Sequence, residues 1–261
     1  MGLFNLFNKK REEKKVAKNK VEMRIGFILL DSKTIEWNAF IENINRDWEI
    51  SISEKPTDEG QLVFEVDDMK VACGLIEVPV PNNEAVNNAK NNFLWKEAVE
   101  VAESHKAHTI LSVMGGDSHI NQSILFTKLA SSMLKLNNVI ALYQFPTVIS
   151  PEFYTKVAED IKEGNPPILD WVYFGVYPDG NQFSGYTIGL NYFGKDEIEV
   201  IRTKKNPSEL YEFLVDIAGY VIKMNATLNH GETIGFSEEH KLKITRSKGV
   251  ALENESIKIE F

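Results

Sequence analysis

The stretch HKAHTILSVMGGDSH, residues 105–119, gathers His105, His108, His119 and Asp117 around the pair Gly115-Gly116. Two or three imidazoles converging with a carboxylate on firm elements make a zinc site or an acid–base pair. Further along, FSEEHK adds Glu238, Glu239 and His240. The candidate chemistry-bearing residues are therefore His108, Asp117, His119 and His240. A hydrolase or small-ligand site would use the loop after Met114 with the C-terminal β region. It would need His108 or His119 to meet Asp117, Glu238 or His240 in one cleft.

The elements that must position these side chains also give each a plainer role. His105 falls in the last turn of a helical pattern, where an imidazole meets the helix's negative end. Lys106-Ala107 then passes from helix to strand, so the rings of His105 and His108 diverge despite their spacing. His108 shares a strand face with Ile110, Ser112 and Met114. Gly115-Gly116 turns the chain, Asp117 or Ser118 caps the next helix, and His119 enters its first turn. Caps and a turn thus account for the cluster without a metal or a cofactor. The GGDS turn lacks the Lys and Gly spacing of a P-loop, and Asp117 would repel an anion. Cys73, the lone cysteine, excludes an internal disulfide and a cysteine zinc site, and its mid-strand place beside Gly74 suits a small core residue. Trp171, Tyr173, Phe174 and Tyr177 either line a ligand groove or pack across a hairpin.

The order of elements frames this region. RIGFILLD is a short apolar run of buried-strand type, followed by a helical stripe of Trp37, Phe40, Ile41 and Ile44. WEISIS alternates like a half-buried strand, and QLVFEV and MKVACGLIEV flank Asp67-Asp68 as a hairpin. A helical segment follows Pro81, with a break expected near Asn92. AHTILSVM and VIALYQF are strands on either side of a helix carrying Ile124, Leu125, Leu129 and Met133. Ser150-Pro151-Glu152 and Asn206-Pro207-Ser208-Glu209 read as helix starts. Between them WVYFGVY and QFSGYTIGL flank Pro178-Asp179-Gly180-Asn181, the strongest hairpin signal, and EIEVIR is a strand. LKITRS, KGVAL and SIKIEF are short β segments. The recurring strand, helix, strand, hairpin predicts an α+β fold of two related, ferredoxin-like lobes. Their sheets are mainly antiparallel, with helices packed on one face. The lobes are expected over 24–80 and 82–261, with a doubly wound parallel sheet as the competitor over 107–145.

The chain has 261 residues, 43% apolar and 26% charged, with a net charge of -9. That is an ordinary globular balance, and it argues against a nucleic-acid partner, which needs a cationic stripe. The charge is uneven: residues 1–20 carry +5 and the rest -14. This marks 1–20 as a separate basic tail. Its Leu3, Phe4, Leu6 and Phe7 ahead of the lysines predict weak contact with an anionic membrane surface. No secretory pattern is read, so the cytoplasm is expected, with peripheral contact at the inner face of the membrane.

The blocks NNAKNNFLWKEA, HKAHTILSVMGG, SILFTKLA, PEFYTKVAEDIKEG, YTIGLNYFGKDEIEV, ELYEFLVDIAGYV and HGETIGFSEEHKLKITRSKGVAL resemble the bacterial family named domain of unknown function 4261, or DUF4261. The resemblance runs from about Asn82 to Phe261 and more weakly from Arg24. It implies a bacterial cytoplasmic protein and carries over no catalytic residue. With no nucleophile–base pair, cofactor fingerprint or metal quartet in the sequence, the expected role is a non-enzymatic protein-interaction or regulatory module. The hydrolase or small-ligand protein above is the alternative.

Overall fold

The computed structural model describes residues 23–237 and 240–261, and of Phe236, Ser237 and His240 the backbone alone. The basic tail 1–20, Glu238, Glu239 and the side chain of His240 lie outside the described residues.

Twelve strands form two six-stranded sheets, with seven α-helices among the described residues. The first sheet holds β1 (Arg24–Leu30), β2 (Gln61–Val66), β3 (Met69–Ile76), β4 (Ala107–Gly115), β5 (Val139–Gln144) and β6 (Thr147–Ile149), in the order β2-β3-β4-β1-β5-β6. Every neighbouring pair is antiparallel. β1 is central because its apolar run has two faces to hide. Ile28 and Leu30 enter a core built with α1 (Trp37–Trp48) and α4 (His119–Met133). Leu29, on the opposite face, packs with Ala85 and Ala89 of α2 (Glu84–Ala89) and Ala98 and Ala102 of α3 (Ala98–Ser104). Helices therefore cover both faces of this sheet, not one as the sequence reading expected. A strand apolar on both sides requires it.

β1 pairs with both β4 and β5, so the sheet draws strands from each side of the boundary expected at 80–82. β4 and β5 run parallel to one another, but β1 lies between them and is antiparallel to both. No doubly wound parallel sheet forms over 107–145.

The second sheet, β10-β11-β12-β9-β8-β7, contains β7 (Tyr173–Asp179), β8 (Gln182–Ile188), β9 (Ile198–Thr203), β10 (Thr233–Ser237), β11 (His240–Lys248) and β12 (Glu255–Ile259). Only β12–β9 is parallel. The apolar stripe Leu210, Phe213, Leu214, Ile217, Val221 of α7 (Pro207–Lys223) fills its core. A capping box starts that helix, with Asn206 accepting from Glu209 N at 3.0 Å and Glu209 accepting from Asn206 N at 3.2 Å. α5 (Pro151–Ala158) starts on Ser150, whose side chain accepts from Phe153 N at 3.2 Å. The short α6 (Ile168–Trp171) bridges the sheets, with the Trp171 indole donating to Thr127 Oγ1 of α4 at 2.9 Å.

Two expected strands are absent. WEISIS leaves α1 through Glu49, in a left-handed conformation, and lays Ile50 and Ile52 on the core without a ladder partner. Of KGVAL, Lys248 ends β11 and the rest is a loop, held instead by hydrogen bonds from Val250 N and Ala251 N to Glu199.

Candidate functional site

The histidines do not converge. His105, buried, accepts from Val80 N through Nε2 at 2.8 Å, which leaves Nδ1 to donate to Ala102 O. The Nδ1 of His108 donates to Val78 O at 2.9 Å, and its ring lies 5.7 Å from that of Phe27. Burial pulls the His108 pKa down, with a smaller push in the same direction from His105, against the Val78 hydrogen bond. His119 opens α4 at the far end of β4, about 24 Å of strand away from His108. Its ring meets Tyr192 edge-on at 4.8 Å. Ser118 is the cap, accepting from Asn121 N at 3.1 Å, while exposed Asp117 accepts from the Asn121 side chain at 2.9 Å. His240 opens β11, its backbone paired with Ser237. No group of three or more His, Cys, Asp or Glu among the described residues is placed to hold a metal ion. Burial pushes the Cys73 thiol up.

A cavity of about 350 Å³ lies instead where the two sheets meet, and no residue from 105–119 lines it. Its walls come from the Asn91–Trp95 segment, the β5–β6 turn, α5, α6, β7 and Tyr211 of α7. The asparagines that break the helix build the first wall. Asn91 and Asn92 donate to Pro146 O and Val148 O, each at 2.8 Å, and Asn92 Oδ1 accepts from Leu94 N and Trp95 N, each at 3.0 Å. Tyr173 ties this wall to β7, its hydroxyl donating to Asn91 O at 3.1 Å. The Tyr211 ring stands edge-on to Phe93 and Phe174, at 5.8 and 5.7 Å. The rim is apolar and open to solvent: Phe93, Leu94 and Phe145 are 52%, 57% and 66% exposed.

Three polar residues, Arg24, Gln144 and Asp170, also line the cavity. Arg24 is 6% exposed, and Asp170 is 2% exposed. The Arg24 guanidinium lies 4.8 Å from the Tyr192 ring and donates to Trp171 O at 3.4 Å. Its Nε has no partner. Neither Asp170 oxygen has a partner, and neither has Oε1 of Gln144, whose Nε2 donates to Asp170 O at 3.4 Å. Nine buried side-chain polar atoms lack a partner among the described residues, and four of them belong to these three cavity-lining residues. Buried polar atoms are ordinarily satisfied, so these three residues stand out among those that line the cavity.

Burial, with a smaller contribution from Asp160, holds the Asp170 carboxyl well above its ordinary range, against the pull of Arg24. The folded-state pKa exceeds the unfolded one, so the stability this group contributes is present below the ordinary carboxylate pKa and is lost as pH rises through the raised value. Asp170→Asn is expected to flatten the fall in stability from about pH 4 upward. Urea midpoints for both proteins across that range check this, and parallel curves would refute it.

None of these three residues carries a sequence signal. Arg24 reads as a charged strand boundary, and Asp170 is one acid in PPILDW. The aromatic alternative at 171–177 is partly realised: Trp171, Tyr173 and Phe174 line the cavity.

Residues 186–260 match the family model described as Domain of unknown function (DUF4261). Over that segment the chain is similar to the DUF4261 family. The DUF4261 match spans the end of β8 through β12 and is narrower than the resemblance read from Asn82 onward. It contains Ile188, Gly189 and Tyr211 of the cavity wall, while Arg24, Gln144 and Asp170 come from outside it. No curated protein and no solved structure matches the chain. No helix among the described residues is long and apolar enough to cross a membrane.

Proposed function

We propose that this chain is a small-ligand-binding protein, non-enzymatic and regulatory in role, whose ligand lodges between the two sheets. The observation that carries this is a cavity of about 350 Å³ with Trp95, Phe153, Tyr173, Phe174 and Tyr211 in its walls and Arg24, Gln144 and Asp170 among its lining residues. A few polar groups in an otherwise apolar concavity are how small molecules are oriented. The volume lies at the low end of the roughly 300–1,000 Å³ usual for such sites. The reading moves the ligand site away from the loop after Met114, His108 and His119.

Saturation-transfer NMR with indole and benzamide as probes tests it. Saturation is expected on the wild type and not on Leu169→Trp, which fills the cavity from a half-buried wall position. Equal saturation of both proteins, or of neither, would sink the reading.

A protein-interaction role is favoured by one specific observation, the exposed Phe93, Leu94 and Phe145 at the rim, which suit an apolar partner group. Within the architecture, the order β3-β4-β1-β5 with α1 and α4 as the crossing helices supports reading the first sheet as a ferredoxin-like core. The basic tail supports a cytoplasmic protein that touches the inner membrane face. Co-sedimentation with anionic liposomes is expected to fall when residues 1–20 are removed.

A further inference from the structure

We propose that residues 3–7 of this same chain dock on the apolar mouth of the cavity and compete there with small molecules. Docking needs no ligand, but its regulatory meaning rests on the ligand-binding reading above: the tail controls access to the site.

The mouth is an apolar surface in need of cover. Phe93 and Phe145, the exposed phenylalanines among the described residues, stand on it with exposed Leu94. The Asn91 side chain, bonded to Pro146 O, holds the 91–95 segment against the turn that carries Phe145, so the three share one rim. Phe153, Phe174 and Tyr211 continue the aromatic lining at lower exposure. A grouped apolar rim of this kind marks a place where another segment binds.

Position, reach, composition and charge point to the chain's own N-terminal residues as the occupant. Arg24, the first residue of β1, itself lines the cavity, and Met23 before it is exposed. Residues 1–22 therefore join the body beside the mouth. From Phe7 to Arg24 the chain spans about 56 Å when extended and about 25 Å even when fully helical. Either length reaches across a cavity of about 350 Å³. A tether this short presents residues 3–7 at an effective concentration on the order of millimolar, which a separate partner must exceed. Leu3, Phe4, Leu6 and Phe7 form an apolar cluster, and Leu3, Leu6 and Phe7 recur at i, i+3 and i+4, the anchor spacing of segments that bind in grooves. Their phenyl groups suit a rim of aromatic rings.

The charges agree. Residues 1–20 carry +5 against -14 on the rest of the chain. Just past the mouth segment, Glu97, Glu100 and Glu103 are exposed at and along α3, opposed there by Lys96 alone. Glu152 and Lys156, both lining the cavity, cancel. The basic run that follows Phe7 thus meets a surface of opposite sign, an attraction that steers the segment more than it holds it. A second copy offers the same residues without the tether. An anionic membrane would have to draw the four apolar side chains out of the mouth, so docking and membrane contact exclude one another.

A nitroxide on Gly2→Cys of the full chain tests this by NMR, since Cys73 is buried and stays unlabelled. The label is expected to broaden the amide signals of Phe93, Leu94 and Phe145 at every protein concentration. Changing Leu3, Phe4, Leu6 and Phe7 together to serine is expected to abolish that broadening in a protein that melts as the wild type does. Without the label, the serine variant is expected to bind indole about threefold more tightly or better, the factor for a tail that closes about two-thirds of the molecules. Broadening absent from the rim, or surviving the serine changes, would overturn the proposal. So would broadening that appears only when labelled chains are mixed with unlabelled isotope-enriched ones, which assigns the contact to a second copy. Equal indole binding by both proteins would overturn the competition and leave the ligand-binding reading in place. Rim broadening with no indole bound by either protein would keep the docking and remove that reading.

Discussion

Glu199→Ala is expected to destabilise the protein by about 3–5 kcal/mol, among the largest single effects in the chain. Glu199 is fully buried in the middle of the second sheet. Its Oε1 accepts from Val250 N at 3.0 Å and Ala251 N at 2.7 Å, and its Oε2 accepts from the Ser256 hydroxyl. The Lys258 ammonium lies 3.0 Å from Oε2 and also donates to Ser247 O and Lys248 O, at 2.9 and 2.7 Å. One carboxylate therefore holds the 249–254 loop and compensates a lysine that is itself mostly buried. Alanine strands two backbone donors, a hydroxyl and a charge together, and a buried group left unmet costs far more than an ordinary hydrogen bond contributes.

Urea denaturation at neutral pH measures the loss, and a change below about 1 kcal/mol would show that the loop is held otherwise. Burial pushes the Glu199 pKa up, but Ser256, the two amides and Lys258 outweigh it and leave a net lowering. Its contribution is therefore present above the ordinary glutamate pKa and disappears as pH falls through the lowered value. The gap between wild type and Glu199→Ala should narrow in acid.

Gly189→Ala is expected to cost about 3 kcal/mol, read as a drop of roughly 6–12 °C in melting temperature. Gly189 has φ 128°, which side-chain-bearing residues avoid, and a Cβ there would sit 2.6 Å from Trp171 O and 3.2 Å from Val172 Cα. Both obstacles are backbone, so neither can rotate aside. The Gly189 N–H is fixed as well, donating to buried Glu197 at 2.8 Å. Relief can come only by shifting the α6–β7 junction, which carries Asp170 and Trp171. The same substitution should therefore loosen the cavity wall, and any binding of indole or benzamide there should weaken along with the melt. A melting temperature within about 2 °C of wild type would mean that the junction yields freely.

Much of the architecture is legible where the cause is local. Ser150 and Asn206 announce helix starts because their side chains accept amides three residues on. The Pro178–Asn181 turn joins β7 to β8 as its residues imply. The failures come where the outcome depends on a distant partner. WEISIS alternates like a strand yet finds no ladder partner, and the amides of Val250 and Ala251 in KGVAL go to Glu199 and not to a ladder. The cavity is the extreme case. Arg24 and Trp171 meet 147 positions apart, and nothing near either one signals the other. The histidine cluster misleads in the opposite sense, since closeness along the chain is undone by a strand that carries His108 and His119 to opposite ends.

The placing of β1 between β4 and β5 has a consequence for synthesis on the ribosome. RIGFILL is made well before either flanking strand exists, so this apolar segment must wait, unsheltered, while more than a hundred further residues emerge. Such a segment invites mispairing in the interval. The growing polypeptide should need chaperone cover over this stretch until Val139–Gln144 has been delivered.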